Sequence, residues 1–309
     1  MQRPDRLNRG FAYRERVSGG GMTLLDLLSD RHRHSGREVW AQRIADGEVR
    51  VDGLPARAAT ILAASQEVVW NRPPWAEPPV DAQFEVIHLD EFLVAVAKPR
   101  GLPTLPGAGF LEHTLLAGVR ARFPEASPMH RLGRETSGLV LFSRNPAIAA
   151  SIQEAWRGRE VLKTYRALGS GVAQDDAFSM ETPIGPVAHP VLGTLFAASA
   201  AGKPSRSAAR VLERRDDSTL FEVDIETGRP HQIRIHLAAA GHPLVGDPLY
   251  GRGGQPLPAM AALPGDGGYF LHAAQLRLAH PVTGQTLDLR AEPPPELRTR
   301  QEATQDALP

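Results

Sequence analysis

The chain has 309 residues, with 35 Lys+Arg against 35 Asp+Glu and no cysteine. Its length fits one large or two unequal domains. The balanced charge excludes a cationic field over the whole chain, and the missing thiols exclude disulfides, thiolate catalysis and cysteine-ligated zinc. No apolar run approaches the roughly 18 residues of a membrane span, and the N-terminus lacks the apolar core of a signal peptide, so a cytoplasmic protein is expected.

Residues 1–21 carry Arg3, Arg6, Arg9, Arg14 and Arg16, then Gly19-Gly20-Gly21. This predicts a flexible basic tail with a glycine hinge. Residues 22–72 read as a small module. Leu24, Leu25, Leu27 and Leu28 form a helical stripe capped by Thr23, and a second helix runs through Glu38 to Ile44. Val49-Arg50-Val51 alternates as a strand before a glycine turn, and Val68-Val69-Trp70 closes the module. Residues 1–75 hold twelve Lys/Arg against nine Asp/Glu, a local basic excess.

Residues 73–81 are proline-rich and predict a stiff linker, with a large domain over 82–297. In it, 84–88 and 92–97 read as strands, 114–122 and 148–156 as helices, 161–169 and 222–226 as strands. A Gly/Pro-rich excursion spans 252–268, a hairpin spans 276–289, and 298–309 reads as a tail. Strands outnumber helices without regular alternation. The expected class is therefore α+β, with a large mixed or antiparallel sheet and flanking helices.

Three blocks stand out. His130 to Arg144 reads HRLGRETSGLVLFSR, polar groups on a loop entering a buried strand; Lys163 to Leu168 reads KTYRAL; and Thr227 to Leu237 reads TGRPHQIRIHL, followed by Gly246-Asp247-Pro248-Leu249-Tyr250-Gly251. Loops on rigid strands are where chemistry tends to sit. If residues 231–236 form a strand, Gln232, Arg234 and His236 share one face, and His231 lies on the other. That parity separates the two histidines and argues against a metal site.

In order and spacing these blocks resemble the RluA family of RNA pseudouridine synthases over roughly residues 80 to 295. The resemblance implies an isomerase that converts uridine to pseudouridine in structured RNA, ribosomal or transfer, with no cofactor and no metal. It implies that Tyr165 stacks on the extruded base, that Arg234 is the basic partner of a catalytic aspartate, and that Arg131, with His130 beside it, engages the RNA. Flipping the nucleotide out costs a few kcal/mol, of which a stacking aromatic can return roughly 1–3. The module over 22–72 resembles the αL-motif RNA-binding domain of ribosomal-protein type, making Arg37, Arg43 and Arg50 its phosphate-facing candidates. A monomer is the expected form.

The family's nucleophilic aspartate falls on Gly133. A glycine can neither attack a sugar nor balance Arg234, and a buried unpaired guanidinium is costly. Glu135, a bound anion, or an Asp or Glu from elsewhere could compensate. The alternative is a non-catalytic RNA-binding relative that keeps only the recognition groove.

Overall fold

The computed structural model describes residues 7–189, 193–257 and 267–305. The chain divides into two units between Pro78 and Pro79, inside the proline-rich stretch.

The first unit is a four-stranded sheet with two helices: β1 (Phe11–Arg16), α1 (Leu24–Arg31), α2 (Arg37–Ala45), β2 (Val49–Val51), β3 (Leu54–Pro55) and β4 (Glu67–Arg72), in sheet order β1-β4-β2-β3. Thr23 caps α1, its hydroxyl oxygen accepting the Asp26 N–H at 3.1 Å. Leu24, Leu27, Leu28, Trp40, Ile44, Val49 and Val68 form its core. The expected flexible tail is corrected from Leu7 onward, because β1 pairs antiparallel with β4. Asn8 fixes its entry. The side-chain amide of Asn8 donates to Glu77 at 2.7 Å, while its oxygen accepts from Gly10 N–H and Trp75 N–H at 3.0 and 3.1 Å. A Cβ on Gly10 would lie 2.6 Å from the Arg72 carbonyl, so the close approach requires glycine there. The arginines of the segment masked its alternation of Phe11, Tyr13 and Glu15 with Ala12, Arg14 and Arg16. Arg3 and Arg6 lie outside the described residues.

The second unit begins with β5 (Glu85–Leu89), β6 (Leu93–Lys98), α3 (Leu115–Arg122), β7 (Ser127–Pro128), β8 (Ser137–Ser143), α4 (Pro146–Arg157) and β9 (Leu162–Ser170). It continues through β10 (Ala177–Met180), β11 (Ile184–His189), β12 (Gly193–Ala198), β13 (Ser207–Arg214), β14 (Ser218–Ile225), α5 (Gln232–Ala239), β15 (Leu271–Ala279), β16 (Thr286–Arg290) and α6 (Arg300–Gln305). Among the described residues it holds a ten-stranded mixed sheet in the order β10-β13-β14-β9-β15-β8-β6-β5, with β16 on β15 and β7 on β8. The central strand β8 is buried along its whole length, which is why it reads as an uninterrupted apolar run. It pairs parallel with β15 at Gly138 and Ala273. A Cβ on Gly138 would fall 2.2 Å from the Ala273 carbonyl oxygen, at a φ of +105°.

Two further expectations are corrected. Gln232 to Ala239 is a helix, not a strand. Its residues from Gln232 to Ala238 are all buried, so no polar stripe marks the helical period, and the alternation QIRIH imitates a strand. Part of the expected C-terminal tail is also ordered. Glu302 on α6 accepts two hydrogen bonds from Arg166 at 2.5 and 2.6 Å, and this pairing holds its carboxyl at about 2. The excursion over 252–268 falls largely outside the described residues.

Candidate active site

The loop from His130 to Thr136 is held from below by the segment after β6. The Thr104 hydroxyl donates to the Leu132 carbonyl at 2.9 Å and accepts the Leu132 N–H at 3.2 Å. Lys98, buried at the end of β6, donates to the carbonyls of Pro99, Leu102 and Arg134 at 2.9, 2.7 and 2.9 Å. Burial pulls this ammonium down to about 7, opposed by Glu135. The three carbonyls need three donors, which only the protonated amine supplies.

Gly133 lies exposed on this loop. Its φ is outside the left-handed region, so the backbone does not demand glycine, and only side-chain hydroxyls limit the space. A Cβ there would stand 3.2 Å from the Tyr269 hydroxyl and 3.6 Å from that of Thr136. Those two oxygens are 3.4 Å apart.

Behind Tyr269 stands Arg234. Its guanidinium carbon lies 4.3 Å from the Tyr269 ring centroid and 5.0 Å from that of Tyr250. The counter-charge is Asp247, which accepts from Arg234 Nε and NH2 at 2.7 Å each, both side chains almost fully buried. Asp247 is itself fixed by the N–H groups of Leu249 and Tyr250 at 2.8 and 3.2 Å. Burial alone would lower the guanidinium pKa, but Asp247 and the two tyrosines raise it. Removing one partner of such a pair costs about 3–5 kcal/mol.

His231 opens α5 in the left-handed conformation, at φ 56°. Tyr250 gives its only proton to the Phe196 carbonyl at 2.6 Å, so the 2.8 Å contact with His231 Nδ1 must be donated by the histidine. The neutral ring therefore offers Nε2 as an acceptor. Burial, then Arg234 and Arg131, pull its pKa down to about 4, against Asp247. Arg131 is exposed and close enough to His231 to contribute to that shift.

Tyr165, on β9 and opposite Ala273 of β15, packs against the cluster containing Tyr269, Ile233 and Leu237, and against the adjoining one containing Leu132. Burial pushes its phenol up to about 12. Tyr165 thus packs on the apolar cluster that includes Tyr269, whose ring lies against the Arg234 guanidinium and whose hydroxyl borders Gly133.

Other candidates are placed differently. Glu135 turns away: it pairs with Arg100 Nε at 3.2 Å and Arg134 Nε at 3.4 Å. Its carboxylate lines a separate cavity of about 750 Å³ with Lys98, Arg100, Phe270 and His272, to which Gly133, Tyr165 and Arg234 contribute nothing. His130 faces inward, stacked on Trp156 at 4.9 Å and accepting the Leu141 N–H on Nε2 at 3.0 Å. Burial, with Lys163, lowers its pKa to about 4. In the N-terminal unit Arg37 pairs with Asp26 at 2.6 Å, Arg50 donates to the Gly53 carbonyl at 3.1 Å, and Arg43 lies over two tryptophan rings. Arg37 and Arg50 remain exposed. His231 opens the helix that carries His236, so the two do not lie on opposite faces of a strand, and His236 hydrogen-bonds Ser207 Oγ and the Thr182 carbonyl. Among the described residues no group of His, Asp and Glu has the geometry of a metal site.

Sequence reasoning missed Asp247 as the partner of Arg234, although the Gly-Asp-Pro-Leu-Tyr-Gly block contained it. A buried arginine without an acid was the available signal. Tyr269 gave none, since it lies 136 positions beyond Gly133.

The sequence model of a family described as RNA pseudouridylate synthase matches residues 92–239. An uncharacterized RNA pseudouridine synthase of Synechocystis is 44% identical over 278 residues, covering 89% of this chain and 96% of that protein. Ribosomal large subunit pseudouridine synthase D of Neisseria meningitidis serogroup A is 33% identical, covering 91% of this chain and 78% of its own. Among solved structures, human RNA Pseudouridylate Synthase Domain Containing 1 superposes with a TM-score of 0.56 at 25% identity, over 74% of this chain and 96% of that one.

Proposed function

Because the chain belongs to the RNA pseudouridylate synthase family, we propose that the site around Tyr269 isomerises a uridine of large-subunit ribosomal RNA. The shared cluster of Tyr165 and Tyr269, with Arg234 over the Tyr269 ring and Gly133 beside its hydroxyl, carries this reading. The reaction breaks the bond from base nitrogen N1 to sugar carbon C1′, turns the base and joins C5 to C1′. One proton leaves C5 and one arrives at N1, so no redox partner is consumed.

In this reading Tyr165 supplies the face on which the flipped base stacks, worth roughly 1–3 kcal/mol. Its phenol is protonated at neutral pH, and burial only widens that margin. Arg131, exposed on the loop, enters the RNA as the base leaves. Neutral His231 presents Nε2 as an acceptor beside it. Arg234 and Asp247 form a fixed, paired dipole behind Tyr269, and the Tyr269 hydroxyl is the polar group nearest a Cβ at position 133, where the family's carboxylate side chain begins. It is therefore the group that handles charge or proton there. Arg37 and Arg50 are the phosphate contacts of the N-terminal unit. The named ribosomal relative supports the RNA class, and a chain without cysteine suits a cytoplasmic, reducing setting.

The test is chemical mapping of pseudouridine after incubation of unmodified ribosomal RNA with the protein. Product is expected from the unaltered chain, falling by about 100-fold or more in Tyr269→Phe, the scale of a lost proton-transfer group. Product only from Gly133→Asp would mean that this chain binds RNA without isomerising it. No product from either would remove the catalytic reading.

A further inference from the structure

The N-terminal unit carries a surface that the isomerase cleft does not use. Register pairs Phe11 with Arg72 and Tyr13 with Trp70, so all four share one face of the sheet, two on its edge strand β1 and two on β4 beside it. On that face Phe11 and Tyr13 are 44% and 42% exposed, outside the core that holds Trp70. The Tyr13 ring stacks on Trp70 at 5.1 Å and 21°, and meets Phe11 edge-on at 4.8 Å. Arg43 lies 4.6 and 4.4 Å over Trp40 and Trp70, and Arg72 lies 3.5 Å over Trp75.

Neither guanidinium forms an ion pair among the described residues; Arg43 donates to Ser35 Oγ at 2.9 Å and Glu48 acts on it from farther off, so both cations keep capacity for an incoming anion. The strip is also pre-set. Asn8 ties the start of β1 to Trp75 and Glu77, so the rings do not have to be ordered when something binds.

We propose that this strip is a stacking platform for two or three unpaired nucleotides of the RNA, with bases on Phe11 and Tyr13 and phosphates on Arg72 and Arg43. Exposed π-faces interleaved with cations match the alternation of base and phosphate along a single strand. A duplex hides its base faces and presents only phosphates and groove edges, so it gains little from the rings. A purely apolar partner would desolvate the two guanidiniums without pairing them. The inference rests on the reading that the chain acts on RNA, but not on the chemistry at Gly133.

Fluorescence anisotropy of the full chain with a labelled oligouridine, and with an RNA duplex of equal length, tests it. The double variant Phe11→Ser/Tyr13→Ala is expected to weaken single-strand binding by about 10- to 100-fold, on the scale of one or two lost base stacks. Tyr13→Phe keeps the ring and should bind within about two-fold of the parent, and duplex binding should hold in all variants. RNA binding left intact by the double variant would overturn the platform alone. Loss equal on strand and duplex would overturn it too. A parent chain that binds no RNA would bring down both this inference and the reading beneath it, whereas platform binding without pseudouridine formation would bring down only the latter. Should the double variant unfold, photo-crosslinking of the unaltered chain to 5-iodouridine RNA decides. Adducts on the tryptic peptide Gly10–Arg14 support the platform, and adducts confined to other peptides overturn it.

Discussion

Two glycines of the central motif show how much one Cβ can mean. At Gly133 the backbone accepts any residue, and the Tyr269 hydroxyl at 3.2 Å can yield slightly. Gly133→Ala should therefore cost less than about 1 kcal/mol in urea unfolding. At Gly138 a left-handed φ and a carbonyl 2.2 Å from the new carbon both oppose substitution. Gly138→Ala should cost more than about 3 kcal/mol, or prevent folding, because β8 and β15 would have to part. Equal losses at the two positions would refute this account. Sequence alone showed both residues inside one motif and could not tell them apart, since the difference lies in what β15 and Tyr269 bring from far along the chain.

At the scale of elements, α5 is held by a buried amide. Gln232 Oε1 accepts the Thr227 hydroxyl and the Arg229 N–H at 2.7 and 3.0 Å, while Nε2 donates to the Arg206 carbonyl and Ser207 Oγ at 2.8 and 2.9 Å. All four of its hydrogen-bonding positions are filled. Gln232→Leu should cost about 3 kcal/mol or more in chemical denaturation, since each buried group left unpaired costs roughly 1–3 kcal/mol. Arg234 should lose its register with Asp247 in the same variant. A loss near that of a surface substitution would show that the network does not hold the helix. The residues of α5 were legible as a motif, but not as a helix. Burial on every side removed the amphipathic signal that distinguishes a helix from a strand.

At the scale of the molecule, three histidines are held neutral. His130, His231 and His272 are each drawn down to about 4, burial being the largest cause in every case. In the unfolded chain they titrate near 6.5. Between those values the unfolded chain binds protons that the folded one refuses, so stability is present above about 6.5 and is lost as pH falls toward 4. Each histidine adds at most about 1.4 kcal/mol per pH unit over that window. Thermal unfolding should show the melting temperature dropping through the window, and less steeply in His272→Gln. An unchanged slope in that variant would mean that His272 is not one of the titrating groups.

From the residues alone came the family, the α+β class and most elements of the sheet, because motif order, apolar period and turn residues are local properties. The tertiary structure decided the partners. It gave Asp247 to Arg234, set Glu135 against Arg100 and Arg134, ordered β1 through Asn8, and left Tyr269 against Gly133. Charges and hydroxyls act over a few ångströms in space, and neighbours at that range are fixed by how distant strands and loops pack rather than by their order along the chain.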